Sequence, residues 1–145
     1  MSDRAVPLWE LVQTAHLASR RFTDVFAAAG LSPAQFGVLA SLADGDDLSQ
    51  ADLARAVLVR PQSMGRLIAS MVAQGLVARD GPGGRGRRTG LVITAAGRRA
   101  LDTARPAAHA LNEPAALGLD ADQLATLVDH LAVIRSRLAA EDEQQ

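Results

Sequence analysis

Four side chains in one short stretch, Arg60, Gln62, Ser63 and Arg66, could make directional contacts with a polar polymer. They belong to the segment from Arg60 to Gln74, which Pro61 opens and Gly75 closes. At 3.6 residues per turn, Met64, Leu67, Ile68 and Met71 fall on one side of a helix, and Gln62, Arg66, Ala69 and Ala73 on the other. Ser63, Gly65 and Ser70 flank the second side, which is therefore small, capable of hydrogen bonding and positive. An ordinary solvated face would carry more Glu and Lys. Such a face suits a DNA major groove, where Gln pairs with adenine, Arg with guanine, and Arg or Ser with phosphate oxygens. Gln62 and Arg66 are the expected base readers, with Arg60 and Ser63 on phosphates.

A second group of candidates lies in the stretch from Gly81 to Gly90, where Arg85, Arg87 and Arg88 are interleaved with glycines. The flanking runs, Leu76 to Asp80 and Leu91 to Thr94, read as two short strands, so the arginines sit at a hairpin tip. A tip of this kind can lay guanidinium groups along a DNA backbone or in the minor groove. Gly81 to Gly86 also matches the spacing G-x-G-x-x-G. A dinucleotide loop, however, runs from a strand into a helix, and here a second strand follows.

Charge is distributed in support of this reading. Net charge is −1, yet Leu53 to Ala100 holds Arg55, Arg60, Arg66, Arg79, Arg85, Arg87, Arg88, Arg98 and Arg99 against the single acid Asp80. The acids gather outside, in Asp44, Asp46 and Asp47 and in Glu141 to Glu143. A basic centre with an acidic periphery is the footprint of a phosphate-binding surface. With no cysteine, thiolate metal sites and thiol redox sensing are excluded. Aromatics make up 3% of the chain, too few for platforms that stack single-stranded bases. No apolar run is long enough to span a bilayer and no signal peptide is evident, so a cytoplasmic protein without a membrane partner is expected.

The elements that position these residues are marked by caps. Leu8, Leu11, Val12, Ala15, Ala18, Phe22, Val25 and Phe26 keep a helical period up to Gly30. Ser32, Pro33 and Gln35 form a capping box with Leu31 and Phe36 as staple, and Ser49 with Asp52 repeats the device. The short helix after Ser49 turns inward Leu53, Ala54 and Val57, and Leu58 to Arg60 leads into the Pro61 helix. The pair forms a helix-turn-helix. Thr94 caps a further helix that Pro106 should kink or break. Asp120 and Gln123 open a last helix expected to bury Leu124, Leu127, Val128, Leu131, Ile134 and Leu138.

The order of these elements, with Gly30-Leu31-Ser32-Pro33-Ala34-Gln35-Phe36-Gly37-Val38-Leu39, Leu53-Ala54, Gln74-Gly75-Leu76-Val77 and Ile93-Thr94-Ala95-Ala96-Gly97, resembles the MarR family of winged helix-turn-helix transcription regulators. The resemblance covers nearly the whole chain. It implies a single domain over residues 1–145 that is mainly α with a small β-hairpin wing. The winged lobe would lie at about 32–94, with N- and C-terminal dimerisation helices at about 7–29 and 95–140. It further implies a homodimer on a palindromic operator, acting as a repressor and released by a small phenolic or anionic ligand. By analogy, Trp9, His16 and Arg20 stand near such an effector, against a plainer reading as dimer packing and surface contacts. The family's wing carries an aspartate shortly before its arginine, and here Arg85 or Gly86 stands in that place. Counted back from Thr94, Arg87 is the wing arginine without a gap and Arg88 with one.

His16, His109 and His130 lack helix-ligand spacing, so no metal or cofactor is expected. With no nucleophile-base constellation or Walker loop, neither is catalysis. The competing reading is a winged-helix module that binds an acidic protein partner without sequence-specific DNA binding.

Overall fold

The computed structural model describes residues 6–80 and 88–144. The chain divides into two compact units, Met1–Ala108 and His109–Gln145. The first holds α1 (Pro7–Ala27), α2 (Pro33–Asp44), α3 (Gln50–Ala56), α4 (Pro61–Ala73), β1 (Val77–Arg79), β2 (Leu91–Ile93) and most of α5 (Ala95–Leu111). The second holds the end of α5, the single turn α6 (Pro114–Leu117) and α7 (Ala121–Asp142). This is a mainly α fold with one two-stranded antiparallel hairpin, paired Val77 with Ile93, Ala78 with Val92 and Arg79 with Leu91.

The helices start and stop where their caps require. Ser32 accepts from the Gln35 N–H while the Gln35 side chain accepts from the Ser32 N–H, and Asp120 and Gln123 do the same for α7. At Ser49 the device differs: its Oγ accepts from the Asp52 N–H, but the Asp52 carboxylate accepts from the Ser49 hydroxyl instead of reaching the N-cap backbone. After α4, the Gly75 N–H bonds to the Val72 carbonyl and the Leu76 N–H to the Met71 carbonyl, a Schellman motif with Gly75 at φ 73°.

The core of the first unit gathers Phe26, Val38, Leu39, Leu53, Ala54, Met64, Ile68, Met71, Val77, Leu91 and Leu101. The Phe26 ring stacks on Phe22 and on Phe36, at 5.6 and 4.2 Å between centroids, so all three phenylalanines of the chain are spent on packing. Two close approaches set the geometry around α4. A methyl group at Gly37 would lie 2.6 Å from Val57 Cγ1, so the Val57 side chain at the end of α3 packs directly on the α2 backbone. A methyl group at Gly97 would lie 2.1 Å from the Leu76 carbonyl oxygen. The same carbonyl accepts from Thr94 Oγ1 at 3.0 Å, and that oxygen accepts from the Gly97 N–H at 3.0 Å. Thr94 thus caps α5 and ties it to the exit of α4.

Two expectations are corrected. Of the kink or break expected at Pro106, the break does not occur: α5 runs through it to Leu111, with Leu101, Ala104 and Ala108 buried on either side to anchor the turns that the ring interrupts. On α7, Leu127, Val128, Ile134 and Leu138 are exposed and Leu124 and Leu131 only partly buried. The apolar stripe is present at helical spacing, but α6, a single turn, cannot cover a helix of 22 residues. Among the described residues, no helix is long and apolar enough to cross a membrane.

Gly97→Ala should destabilise the first unit by about 1–3 kcal/mol or more, because the clash is with backbone that cannot rotate away. Urea unfolding followed by circular dichroism measures this, and wild-type stability would contradict the packing described.

Candidate nucleic-acid interface

The interface begins with the way α3 hands the chain to α4. The Leu58 N–H bonds to the Arg55 carbonyl and the Val59 N–H to the Ala54 carbonyl, so α3 also ends in a Schellman arrangement. The left-handed position here is Leu58, at φ 60°, a conformation that costs a leucine roughly 1–2 kcal/mol. Its side chain is 94% exposed. Arg60 is extended, as a residue before proline must be, and gives α4 no side-chain cap. The helix is held from below by Met64, Ile68 and Met71, each at most 2% exposed.

The sequence-predicted residues of α4 come together on the opposite face. Arg60, Gln62, Ser63 and Arg66 are all exposed, as are Gly65, Ala69, Ser70 and Ala73. Side chains of this size leave the backbone close to whatever docks there, and the guanidinium groups of Arg60 and Arg66 supply charge. Of the wing candidates, Arg88 is described and exposed. Arg85 and Arg87, together with the rest of the G-x-G-x-x-G stretch, lie outside the described residues.

Sequence reasoning missed what holds Arg88. Its main-chain N–H donates to Asp47 Oδ1 at 2.9 Å, and its guanidinium stands 4.0 Å from Asp52 Oδ2. Asp52 also accepts from the Ser49 hydroxyl at 2.7 Å and pairs with Arg55. The Ser49 hydrogen bond first, and then the Arg55 guanidinium, hold the Asp52 carboxyl below the usual carboxylate range. Read from sequence, Asp52 looked like a helix cap and Asp47 like acidic periphery, and nothing in their spacing signals a partner 36 or 41 residues away.

A second unforeseen link reaches α4 from α2. The buried Gln35 side chain, beyond its capping role, donates from Nε2 to Gln74 Oε1 at 3.2 Å, and Gln74 Nε2 donates to Ser70 Oγ at 3.2 Å.

On α1, Trp9 and His16 line one shallow hollow with Val12, Gln13 and Leu17. Arg20 is exposed one turn beyond His16 and is not part of that lining. A separate hollow between α1 and the α3–α4 turn is lined by Ala15, Ala18, Phe22, Phe26, Pro33 and Leu58.

With this geometry in view, residues 29–88 match the sequence model described as MarR family. Over that stretch the chain is similar to the MarR family. No curated protein matches it in sequence. Among solved structures it is similar to the Mycobacterium tuberculosis MarR family protein Rv2887 in complex with salicylic acid. That match has 25% identity and a TM-score of 0.70, and covers 92% of this chain and 99% of that one. Rv2887 in complex with DNA is also similar, with 23% identity, a TM-score of 0.67, and 90% and 98% of the two chains covered. A MarR family transcriptional regulator from Silicibacter pomeroyi superposes with a TM-score of 0.73 at 22% identity, over 92% and 89% of the chains. The stretch expected as a winged lobe, about 32–94, holds α2, α3, α4 and the β1–β2 hairpin.

Because the folded state lowers the Asp52 pKa, the stability that its carboxylate lends is fully present above the ordinary carboxylate range and is lost as pH falls through the lowered value. Asp52→Asn should therefore unfold at lower urea than wild type at neutral pH, and the gap should narrow as pH falls through the lowered value. A gap that stays constant with pH would show that ionised Asp52 contributes nothing.

Proposed function

We propose that this chain is a MarR-family transcription regulator, a homodimeric repressor that binds a palindromic site in double-stranded DNA. The observation that carries the reading is the division of α4 into a buried apolar face and a small, polar, arginine-bearing face left wholly exposed. Each protomer would place α4 in a major groove, Gln62 toward adenine and Arg66 toward guanine, with Arg60 and Ser63 on flanking phosphates. Arg85 and Arg87 would reach the neighbouring minor groove from the wing. Arg88 belongs to the same surface, but its carboxylate partners assign it to the base of the wing.

Dimerisation is supported by apolar surface that the single chain leaves uncovered. On α1, Leu8, Trp9, Val12 and Leu17 are more than half exposed, and on α7 so are Val128 and Val133. Large apolar side chains left exposed on both helices suit an interaction site. A second copy of the chain would cover it, as the dimerisation helices at about 7–29 and 95–140 imply.

For regulation, the reading is that a small phenolic or anionic molecule weakens DNA binding by favouring one spacing of the two α4 helices over another. Rv2887, at 25% identity, has been crystallised with salicylic acid. Trp9 and His16 line one candidate hollow on α1, with Arg20 close by on the same helix. The regulator would work in the cytoplasm.

Arg66→Ala should weaken binding to the cognate site by about 1–3 kcal/mol and relax sequence preference, measured by fluorescence anisotropy at near-physiological salt with competitor DNA. Unchanged affinity would remove Arg66 from the base-reading role. Val12→Arg combined with Val128→Arg should convert a species of twice the 15.2 kDa chain mass into a monomer in sedimentation equilibrium. A wild-type protein that sediments as a monomer at micromolar concentration would contradict the dimer.

A further inference from the structure

The wing returns to the body of the lobe through Arg88, Thr89 and Gly90, and acid meets it there. Asp47, between α2 and α3, accepts the Arg88 main-chain N–H at 2.9 Å, and Asp52 on α3 faces the Arg88 guanidinium at 4.0 Å. Just beyond, the Asp80 N–H donates to the Gly90 carbonyl at 2.7 Å and closes the described base of the hairpin. Asp52 is itself fixed by the Ser49 hydroxyl and by Arg55. Asp52 therefore links α3, and Asp47 the α2–α3 loop, to the segment that leads into β2.

Their position is costly on a surface that attracts phosphate, because each carboxylate repels the DNA backbone. They are accounted for by what they hold. The pair between Asp52 and Arg88 is solvent-exposed, at 35% and 58% of the side-chain areas, and contributes little alone. The bond from a main-chain N–H to an ionised carboxylate is the stronger tie, and it fixes backbone where the chain turns into β2.

We infer that Asp47 and Asp52 form a clasp on Arg88 that sets the wing against α3, so that Arg88 is a positioning residue of the wing and not one of its DNA contacts. Its effect on affinity rests on the DNA-binding reading above, whereas the clasp exists with or without DNA.

The test turns on sign. Loss of a carboxylate from this surface should by charge alone tighten DNA binding. If Asp47 serves as an acceptor, Asp47→Ala should instead weaken binding by about 3- to 10-fold, while Asp47→Asn, which keeps a side-chain oxygen and loses the charge, should bind at least as tightly as wild type. Arg88→Ala should leave the slope of log K against log salt unchanged, whereas Arg60→Ala should reduce it by about 1. Equal tightening in both Asp47 variants, or a slope reduced by about 1 in Arg88→Ala, would overturn the proposal. Amide hydrogen exchange without DNA separates the two readings: the Arg88 N–H should exchange faster in Asp47→Ala than in wild type or Asp47→Asn. If it does and no form of the protein binds DNA, the clasp stands and the DNA-binding reading fails. If exchange is unchanged, the clasp fails whatever the DNA result.

Discussion

Met64, Ile68 and Met71 bury one side of α4 almost completely, and the orientation of every exposed group on that helix follows from it. Each such side chain gains roughly 1.5–3 kcal/mol from leaving water, so rotating the helix to bring Gln62 or Arg66 inward would forfeit several kcal/mol. The surroundings reinforce the choice at both ends. Ala54, fully buried, and Gly37 against Val57 let α2 and α3 approach closely at the start of α4. Thr94 and Gly97 lock onto the Leu76 carbonyl just past its end. The helix is thus clamped as a rigid body, which is what a protein needs if a few side chains are to meet base edges in register.

Where the fold holds its elements by short-range chemistry, the sequence was legible. Ser32 with Gln35, Asp120 with Gln123, Thr94 before α5, and Gly75 after α4 are local devices whose partners lie within five residues, and all form. The buried and exposed sides of α4 followed from a period of 3.6 in the same way. The first strand came out one residue shorter at each end than expected, at Val77–Arg79, and the second one residue shorter at its end, at Leu91–Ile93. Local rules failed where the outcome depends on distant partners. Pro106 sits in a helix anchored by buried residues on both sides, and packing overrode the missing hydrogen bond. The α7 stripe was readable as apolar, but whether a stripe is covered depends on what packs on it. The tie of Arg88 to Asp47 and Asp52 spans 41 and 36 residues and has no periodicity to announce it.

Two features bear on how such a regulator could respond to a ligand. Leu58 holds a left-handed backbone that glycine would adopt more readily, and it stands beside Phe22, Phe26 and Pro33 at the edge of an apolar hollow. The chain Gln35, Gln74 and Ser70 joins the start of α2, next to that hollow, to the exposed face of α4. The first links the surface of α1, and the second the start of α2, with the helix proposed to read DNA, so a change at the hollow has a physical route to that helix through contacts already formed.

The central claim is that α4 and the wing read a two-fold symmetric DNA site. Hydroxyl-radical footprinting on the DNA flanking this protein's own gene, at near-physiological salt, tests it most directly. The account predicts a protected palindrome whose half-sites are centred about one helical turn, 10 base pairs, apart, with protection on both the major-groove and the adjoining minor-groove side. Protection without symmetry, or none at concentrations where the protein is dimeric, would contradict it and favour a winged-helix module that binds an acidic protein partner.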